Sequence, residues 1–331
     1  MRAIILNETG RAENCRLSDV ASLVPGPGQV LVQVASAGVA FADLLMVMGK
    51  YQNTPATPFI PGMEAAGRIE ALGEGVEGLV PGQRVLAIAD FGAHAEQICL
   101  PAHQVLPITD GVSFDAAVAM GVSYLTAWCA LFPSARLERG ETVFVTGASG
   151  GVGQAAIQLA KAHGATVLAG LSNMEKAGVA RSAGADHLIN LSHAKDCDAV
   201  RAEVYAATNE KGADILVDVL GGAPFASCLR TLAWRGRAVV LGFTTGEIPS
   251  VATNYLLLKT ISVQGLQVTA FRDKLPDTVR SAMAAMCALY EDGRIRPQIQ
   301  SKFALGEVDR AFALIAGREV TGRLLIDPSA P

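Results

Sequence analysis

Closely spaced cysteine pairs are absent from this sequence. Its six cysteines are scattered along 331 residues, at Cys15, Cys99, Cys129, Cys197, Cys228 and Cys287. The opening stretch, MRAIILNETG, meets a charge at Arg2 and a polar residue at Asn7, so it predicts a strand rather than the long apolar segment of a secretory signal. These features argue against a disulfide framework and favour buried free thiols. We therefore expect a cytoplasmic protein.

An excess of positive charge is also lacking. The net charge is -4, the isoelectric point is near 5.8, and only 18% of the residues are charged. This balance argues against a surface that gathers nucleic acid or anionic lipid. We also expect no stretch apolar enough to span a bilayer. The sequence thus favours a small-molecule partner, with neither nucleic acid nor membrane.

What the sequence does contain is typical of a large, well-packed α/β protein. Half of the residues are hydrophobic and 34 are glycine, and the length predicts two domains. The first hundred residues hold short strand-like runs separated by Pro and Gly turns, which predict a small, barrel-like β domain. From about Phe114, apolar strands alternate with helical segments, as in ETVFVTGA, AAIQLAKAHG and ATVLAG. This alternation predicts a doubly wound parallel sheet, and we expect the C-terminal tail to return to the first domain.

A glycine-rich loop joins the first of these strands to its helix in the stretch FVTGASGGVGQAAIQLAKAHG. Amides at the start of a helix, with the positive end of its dipole, form a site for a pyrophosphate. A glycine turn before a helix can also serve packing alone, but the strand before, the helix after and the second strand ATVLAG favour dinucleotide binding. The candidate loop residues are Ala148, Ser149, Gly150, Gly151, Val152 and Gly153.

The end of the second strand indicates which dinucleotide binds. An NAD enzyme usually has Asp or Glu there, to accept hydrogen bonds from the ribose. This chain has Gly170, Leu171, Ser172 and Asn173 instead, with Lys176 one turn beyond. Ser172 can donate to a 2′-phosphate and Lys176 can supply charge, although Glu175 lies beside it. NADPH is the predicted cofactor.

Together these residues resemble the medium-chain dehydrogenase/reductase superfamily, and more particularly its zinc-free NADPH:quinone oxidoreductase (zeta-crystallin-like) branch. The resemblance covers nearly the whole chain, through VLVQVASAGVAFADLLMVMGKY, FIPGMEAAGRIEALGEGV, PGQRVLA, HAEQICLP, LTAW, VTGASGGVGQAAIQLAKAHGA, GADHLIN, DVLGG, LGFTTGEIPSVATNYLLLK and TGRLLI. It implies a GroES-like β-barrel catalytic domain at 1–124, completed by 268–331, and a Rossmann domain at 125–267, with the active site in the cleft between them. It also implies a homodimer, and TISVQGL, with Ile261 and Val263, would suit an edge strand that pairs across it.

The resemblance also bears on zinc. Zinc alcohol dehydrogenases of the superfamily hold their metal with Cys and His side chains, where this chain has Val39 or Ala40 and Met63. None of these can replace such a ligand. The five histidines, His94, His103, His163, His187 and His193, pair with no Cys or other His at ligand spacing. We therefore expect no metal and interpret these histidines as surface or hydrogen-bonded structural residues.

The predicted function is hydride transfer from NADPH to a quinone, an acceptor that needs no Lewis acid. Family positions give three candidate catalytic residues: Tyr51 as a phenol donor to a carbonyl, Thr126 as a nicotinamide contact and Asp43 as a hydrogen-bonding group. Their alternatives are a surface tyrosine, a helix-start threonine and a capping aspartate. Further candidate cofactor-binding residues are Leu220, Gly242, Phe243, Thr244 and Arg323, although a solvated side chain is an alternative for Arg323.

Two departures from the family pattern leave the substrate open, and a third concerns the choice of dinucleotide. Asn and Tyr are replaced by Ala40 and Leu45, which makes the pocket more apolar, and a tyrosine on the adenosine side is replaced by Leu191. Reduction of α,β-unsaturated carbonyls or enoyl thioesters is therefore an alternative function. Zinc-dependent alcohol oxidation and a non-catalytic, NADPH-binding structural or RNA-binding role are alternatives of other kinds.

Overall fold

The computed structural model describes residues 1–330, which form two compact units. The first unit contains 1–122, 269–292 and the residues from 297 onward, and the second contains 123–268 and 293–296. The sequence analysis expects one domain at 1–124 with 268–331 and another at 125–267. These domain bounds stay a prediction.

The strands, numbered in chain order, are β1 Arg2–Leu6, β2 Cys15–Asp19, β3 Gln29–Val39, β4 Glu64–Leu72, β5 Arg84–Ile88, β6 Gln97–Pro101, β7 Val105–Pro107, β8 Thr142–Val145, β9 Thr166–Leu171, β10 His187–Asn190, β11 Ala213–Asp218, β12 Leu232–Val240, β13 Ser262–Gly265, β14 Ile299–Ala304 and β15 Arg323–Asp327. The helices are α1 Phe41–Val47, α2 Phe114–Cys129, α3 Gly151–His163, α4 Ala177–Ser182, α5 Cys197–Ala207, α6 Gly222–Leu229, α7 Thr253–Lys259, α8 Val268–Lys274, α9 Pro276–Glu291 and α10 Val308–Ala316.

The first unit is built on a sheet of seven strands. Six follow the order β14-β15-β3-β4-β5-β7, and β6 also pairs with β3. The long strand β3, QVLVQVASAGV, is largely buried because it has partners along its length. The C-terminal strand β15 pairs antiparallel with β3, so the tail returns to this unit as expected from the sequence. This arrangement places β15 beside β3, the strand that directly precedes α1 and its Asp43.

The second unit is a six-stranded parallel sheet in the order β10-β9-β8-β11-β12-β13. Its central strands read TVFV, TVLAGL and ADILVD, near-continuous apolar runs typical of strands covered on both faces. Phe144, Leu168 and Leu216 from these strands pack with Phe225 of α6 in one buried cluster. The doubly wound parallel fold predicted from the sequence is confirmed. The carboxyl ends of β8 and β11 therefore meet at one edge of the sheet.

Helix α2 corrects one expectation. Together with the π-helical segment Ala130–Ser134 it forms a helix, Phe114–Ser134, long and apolar enough to cross a membrane, with a mean hydropathy of 1.5. The expectation that no stretch would be apolar enough to span a bilayer is therefore wrong. However, 78% of the apolar window is buried within the protein, and a core helix passes the same test of length and composition. The helix is also interrupted at Gly121, whose backbone is non-helical.

Candidate functional site

The glycine-rich loop lies between the end of β8 and the start of α3. Gly147 has φ 59°, a left-handed conformation that favours glycine. A Cβ atom on Gly153 would lie 2.8 Å from the Cα of Ala148, so the first turn of α3 packs directly on the loop. Ala148, which replaces the first glycine of the motif, is fully buried and its N–H donates to the Gly170 carbonyl at 3.2 Å. The alanine methyl group is thus accommodated in the interior.

The first turn of α3 presents three unused amides. Gly150 N–H donates to the Gly147 carbonyl at 3.0 Å, and Gln154 N–H donates to the Gly150 carbonyl at 2.9 Å. Within residues 1–330, the amides of Gly151, Val152 and Gly153 make no hydrogen bond. Three successive N–H groups at the positive end of a helix dipole fit a pyrophosphate.

The end of β9 carries the residues that the sequence assigns to a 2′-phosphate. Ser172 is exposed and Lys176 is half-buried in the short helical turn that follows. Asn173 caps this turn, because its Oδ1 accepts from the Glu175 N–H at 2.9 Å, and its side-chain amide donates to the Glu175 carboxylate at 3.3 Å. Glu175 is therefore held by Asn173. The chain ends β9 with a hydroxyl and a nearby ammonium group, which suit a phosphate.

The sequence analysis missed two residues at the neighbouring strand ends, Thr146 and Asp218. Asp218 is fully buried: its Oδ1 accepts from the Thr146 hydroxyl at 2.6 Å, and its Oδ2 accepts from the Gly221 N–H at 2.9 Å. Burial raises the pKa of Asp218, while these hydrogen bonds act in the opposite direction. The pair fixes the turn that contains Leu220. The available signal was the Asp that ends the apolar run ADILVD.

Two loops at the carboxyl edge of the parallel sheet are joined by backbone hydrogen bonds. The Thr244 N–H donates to the Val219 carbonyl at 3.1 Å, which brings Gly242, Phe243 and Thr244 beside the turn of Leu220. Phe243 exposes 41% of its surface, so an apolar ring is available to a ligand at this edge. Thr126 lies elsewhere in this unit, buried within α2 rather than at a helix start. The structure therefore brings the loop candidates together, whereas Thr126 lies on a separate helix.

In the first unit, Asp43 and Tyr51 lie at the two ends of one short segment. Asp43 occupies the first turn of α1, is fully buried, and accepts from the Ala40 N–H at 2.7 Å. Tyr51 follows α1 and is half-buried. Burial, with the nearby Asp43 and Asp90 charges, raises the pKa of the Tyr51 phenol. The phenol is therefore protonated at neutral pH and can donate a hydrogen bond.

Arg323 has a different place from the one that the sequence analysis gave it. Instead of being exposed for a cofactor, it lies in β15 with 7% of its surface exposed, and its guanidinium donates to the buried carboxylate of Glu64 in β4. Burial lowers its pKa to about 10, which leaves the guanidinium charged at neutral pH. Arg323 therefore neutralises a buried carboxylate inside the first unit, and its assignment to the cofactor stays a prediction.

The residues at the zinc-ligand positions are apolar, and two of them are buried in the interior. Val39 and Met63 are 2% and 3% exposed. Across residues 1–330, no group of three or more His, Cys, Asp or Glu side chains is placed to hold a metal ion. Of the histidines, His94 is fully buried with its Nε2 2.9 Å from the Gly38 carbonyl oxygen, and His103 pairs with Asp273 at 3.3 Å. Both histidines are hydrogen-bonded structural residues.

Comparison with known proteins agrees with both units. The alcohol dehydrogenase GroES-like domain family matches residues 26–110, and the zinc-binding dehydrogenase family matches residues 151–286. The chain is 35% identical over 330 residues to quinone oxidoreductase-like protein 2 homolog of Nematostella vectensis, covering 98% of this chain and 88% of that protein. It is 36% identical over 311 residues to quinone oxidoreductase-like protein 2 of Mus musculus, covering 94% and 88%.

A solved structure extends the likeness to three dimensions. A mycobacterial protein complexed with NADPH has 27% sequence identity and a TM-score of 0.91, covering 99% of this chain and 100% of that one. The GroES-like and Rossmann domains implied by the sequence are thus confirmed. This chain is an oxidoreductase that belongs to the medium-chain dehydrogenase/reductase superfamily, in its zinc-free quinone oxidoreductase-like family.

Proposed function

We propose that this protein is an NADPH-dependent quinone reductase. The observation that carries the proposal is the set of three unused amides at the start of α3. Helix α3 follows β8, and Ser172 and Lys176 follow β9, the strand beside β8 in the parallel sheet. The relatives named quinone oxidoreductase-like and the similar structure complexed with NADPH support it. NADPH, when bound, supplies the hydride.

The chain's own residues bind and orient the reactants. The amides of Gly151, Val152 and Gly153 bind the pyrophosphate, and Ser172 and Lys176 bind the 2′-phosphate. The Thr146–Asp218 pair holds the turn of Leu220, and Phe243 and Thr244 extend that surface. This division places charge recognition at the N-terminus of α3 and at β9, and the more apolar contacts at the ends of β11 and β12.

The acceptor side is assigned to Tyr51, with Thr126 as a nicotinamide contact. A protonated phenol donates to the acceptor carbonyl, and Asp43 fixes the helix that precedes it. Since the zinc-ligand positions are apolar, the acceptor must itself be electrophilic. Quinones meet this condition. The apolar Ala40 and Leu45 favour activated alkenes, such as enones and enoyl thioesters, as the second candidate class.

The outer strand β13 bears on how copies of this protein associate. Strand β13 is the outer strand of the parallel sheet and, among residues 1–330, pairs only with β12, so its free edge can pair with a second copy. We propose a cytoplasmic homodimer.

The test is an equilibrium titration with NADPH and NADH, followed by NADPH oxidation measured against quinones, enones and enoyl thioesters. We expect NADPH to bind about tenfold or more tightly than NADH, because the 2′-phosphate makes charge-assisted hydrogen bonds. Turnover is expected with at least one quinone. Cofactor binding without turnover of any acceptor would indicate the non-catalytic alternative and reject the reductase.

A substitution at the end of β9 sharpens the cofactor test. Ser172→Asp places a carboxylate where the 2′-phosphate would bind, so the affinity for NADPH should fall at least tenfold while that for NADH changes little. Ser182→Asp, an equal change of charge at the exposed end of α4, is the control. Equal losses for the two cofactors would contradict the assignment of Ser172.

A further inference from the structure

Two arginines face each other on the seven-stranded sheet of the first unit. Arg68 of β4 and Arg84 of β5 are direct partners in the antiparallel register, so their side chains leave the sheet on the same face. Their chain neighbours Gly67, Ile69 and Val85 are buried, which places the two arginines on the face turned away from the core. Like charges directly opposite each other are unfavourable unless another group compensates them.

One aromatic ring lies against both guanidinium groups. The Cζ atom of Arg84 is 4.2 Å from the centre of the Phe114 ring, and the Cζ atom of Arg68 is 5.9 Å from it. Phe114 is the first residue of α2. A ring attracts cations but carries no net charge, so it holds the two groups without neutralising them. Arg68 is exposed and Arg84 is half-buried, so the paired charges are within reach of solvent.

Most N–H groups of the two guanidiniums have no acceptor within residues 1–330. Arg68 Nη1 donates to the Gly82 carbonyl at 2.9 Å, and Arg84 Nη2 donates to the Val112 carbonyl. The part of the chain that the structure describes offers neither side chain a further hydrogen bond. Since a guanidinium carries five N–H donors, the pair has donors left for a ligand with several acceptor oxygens.

The nearest carboxylate neutralises this pair only in part. Asp110 Oδ1 lies 3.6 Å from Arg84 Nε, which is beyond hydrogen-bonding distance, and the Asp110 side chain is 99% exposed. An ion pair of this kind is weak in water. Among the described residues, Arg68 has no carboxylate oxygen within 4.0 Å.

The other acids close by in the chain are bound elsewhere. Asp115, which follows the shared ring in α2, pairs with Lys302 at 3.0 Å. Glu70, on the same face of β4 as the exposed arginine, accepts from the Gln97 side-chain amide at 2.7 Å. Both carboxylates therefore already have a partner, and the two guanidiniums keep an excess of positive charge.

We propose that Arg68 and Arg84 bind the phosphate group of a small soluble molecule, either inorganic phosphate or a phosphomonoester. Planar guanidinium forks match phosphate oxygens, and one dianion neutralises two adjacent cations. The opposed side chains begin about 5 Å apart, so a single phosphate can accept from both. This site lies in the first unit, whereas the glycine loop and the end of β9 lie in the second. It does not depend on the proposed function.

Calorimetric titration with inorganic phosphate at constant ionic strength tests the site. NADPH is present in excess, so that it occupies the anion sites proposed in the second unit. Arg68→Gln should weaken phosphate binding about tenfold or more, because it removes the charge-assisted hydrogen bonds of one guanidinium. Arg16→Gln, at an exposed position of β2, is the matched control and should bind like the wild type. Absence of binding to the wild type, or equal binding to Arg68→Gln, would overturn the proposal.

Asp110→Asn should change the affinity in the opposite direction. It removes a carboxylate that competes for Arg84, so phosphate should bind about two- to fivefold more tightly. The exposed aspartate makes no hydrogen bond that the fold requires, and Asp19→Asn at an exposed position of β2 is the control. Weaker phosphate binding in Asp110→Asn than in Asp19→Asn would contradict the location of the site.

Two further ligands identify the source of the phosphate. Methyl phosphate that binds like inorganic phosphate would assign a phosphomonoester, and its exclusion would assign inorganic phosphate. Acetate, with a single charge, should bind at least tenfold more weakly, and equal binding of acetate would overturn the assignment to phosphate. If NADPH does not bind, the proposed function fails, but the difference between Arg68→Gln and Arg16→Gln still reports on this site.

Discussion

Tyr51 is the residue on which the proposed chemistry depends most. Its backbone carbonyl is held by the Thr54 hydroxyl at 2.7 Å, and no hydrogen bond of its own hydroxyl is found in the described chain. The phenol is thus positioned by its backbone and available to a ligand. The sequence could indicate Tyr51 only by resemblance, because the half-burial and the neighbouring Asp43 and Asp90 charges arise from the fold.

Tyr51→Phe should lower kcat by about 100-fold and leave the NADPH affinity unchanged, since removing the hydroxyl removes a proton-donating group from the acceptor alone. Because the Tyr51 pKa is raised, the wild-type rate should show no loss from Tyr51 ionisation between about pH 7 and 9. Steady-state kinetics across that range checks both points. Tyr255→Phe, which removes a surface hydroxyl bonded to the Arg230 carbonyl, is the control. An unchanged kcat in Tyr51→Phe would reject its role.

Local sequence patterns locate some strands and helices, but they do not reveal contacts between distant elements. Strand β5, Arg84–Ile88, begins directly after a turn at Pro81 and Gly82, residues that favour turns in any sequence. Helix α9 begins at Pro276, and Asp277 lies in its first turn, where it pairs with Arg280 at 2.7 Å. Arg323 in β15 pairs with Glu64 in β4, an ion pair between residues 259 positions apart. Separation of that size leaves no periodic signal in the sequence.

Arg323→Met should destabilise the protein by about 3 to 5 kcal/mol, because it leaves the Glu64 carboxylate buried without its counter-charge. The NADPH affinity should be unchanged, since Arg323 lies inside the first unit. Urea unfolding and a cofactor titration measure the two quantities. The double variant Glu64→Gln with Arg323→Met should recover part of the loss, because it removes the buried charge as well. Weakened NADPH binding in a folded Arg323→Met protein would restore the original cofactor assignment.

At the scale of the whole molecule, the parallel sheet ends in two different edges. Strand β10 forms one edge and β13 the other. Ile261, which the sequence placed in the edge strand with Val263, is buried just before it. Exposed Leu257 and Leu258 belong to α7, directly before β13 in the chain. Exposed leucines of this kind are consistent with an interface between copies.

Val263→Asp should convert the proposed dimer to a monomer of 34.4 kDa, because a charge in the pairing edge opposes association of two identical strands. Light scattering after size exclusion measures the mass. Leu188→Asp makes the same change at a half-buried position of the opposite edge strand, and should leave the dimer intact. A monomeric wild-type protein would reject the homodimer.

The sequence by itself determined the alternation of strands and helices, the glycine loop between β8 and α3, and the absence of side chains suited to zinc at Val39, Ala40 and Met63. These properties follow from local periodicity, from the backbone freedom of glycine and from side-chain chemistry. Only the tertiary structure decided that Arg323 neutralises Glu64, that Asp218 and Thr146 fix the turn of Leu220, and that His94 lies buried with its Nε2 beside the Gly38 carbonyl oxygen. These pairings depend on burial and on contacts between residues distant in sequence, because a charge loses its water, and needs a partner, only once the chain has folded around it.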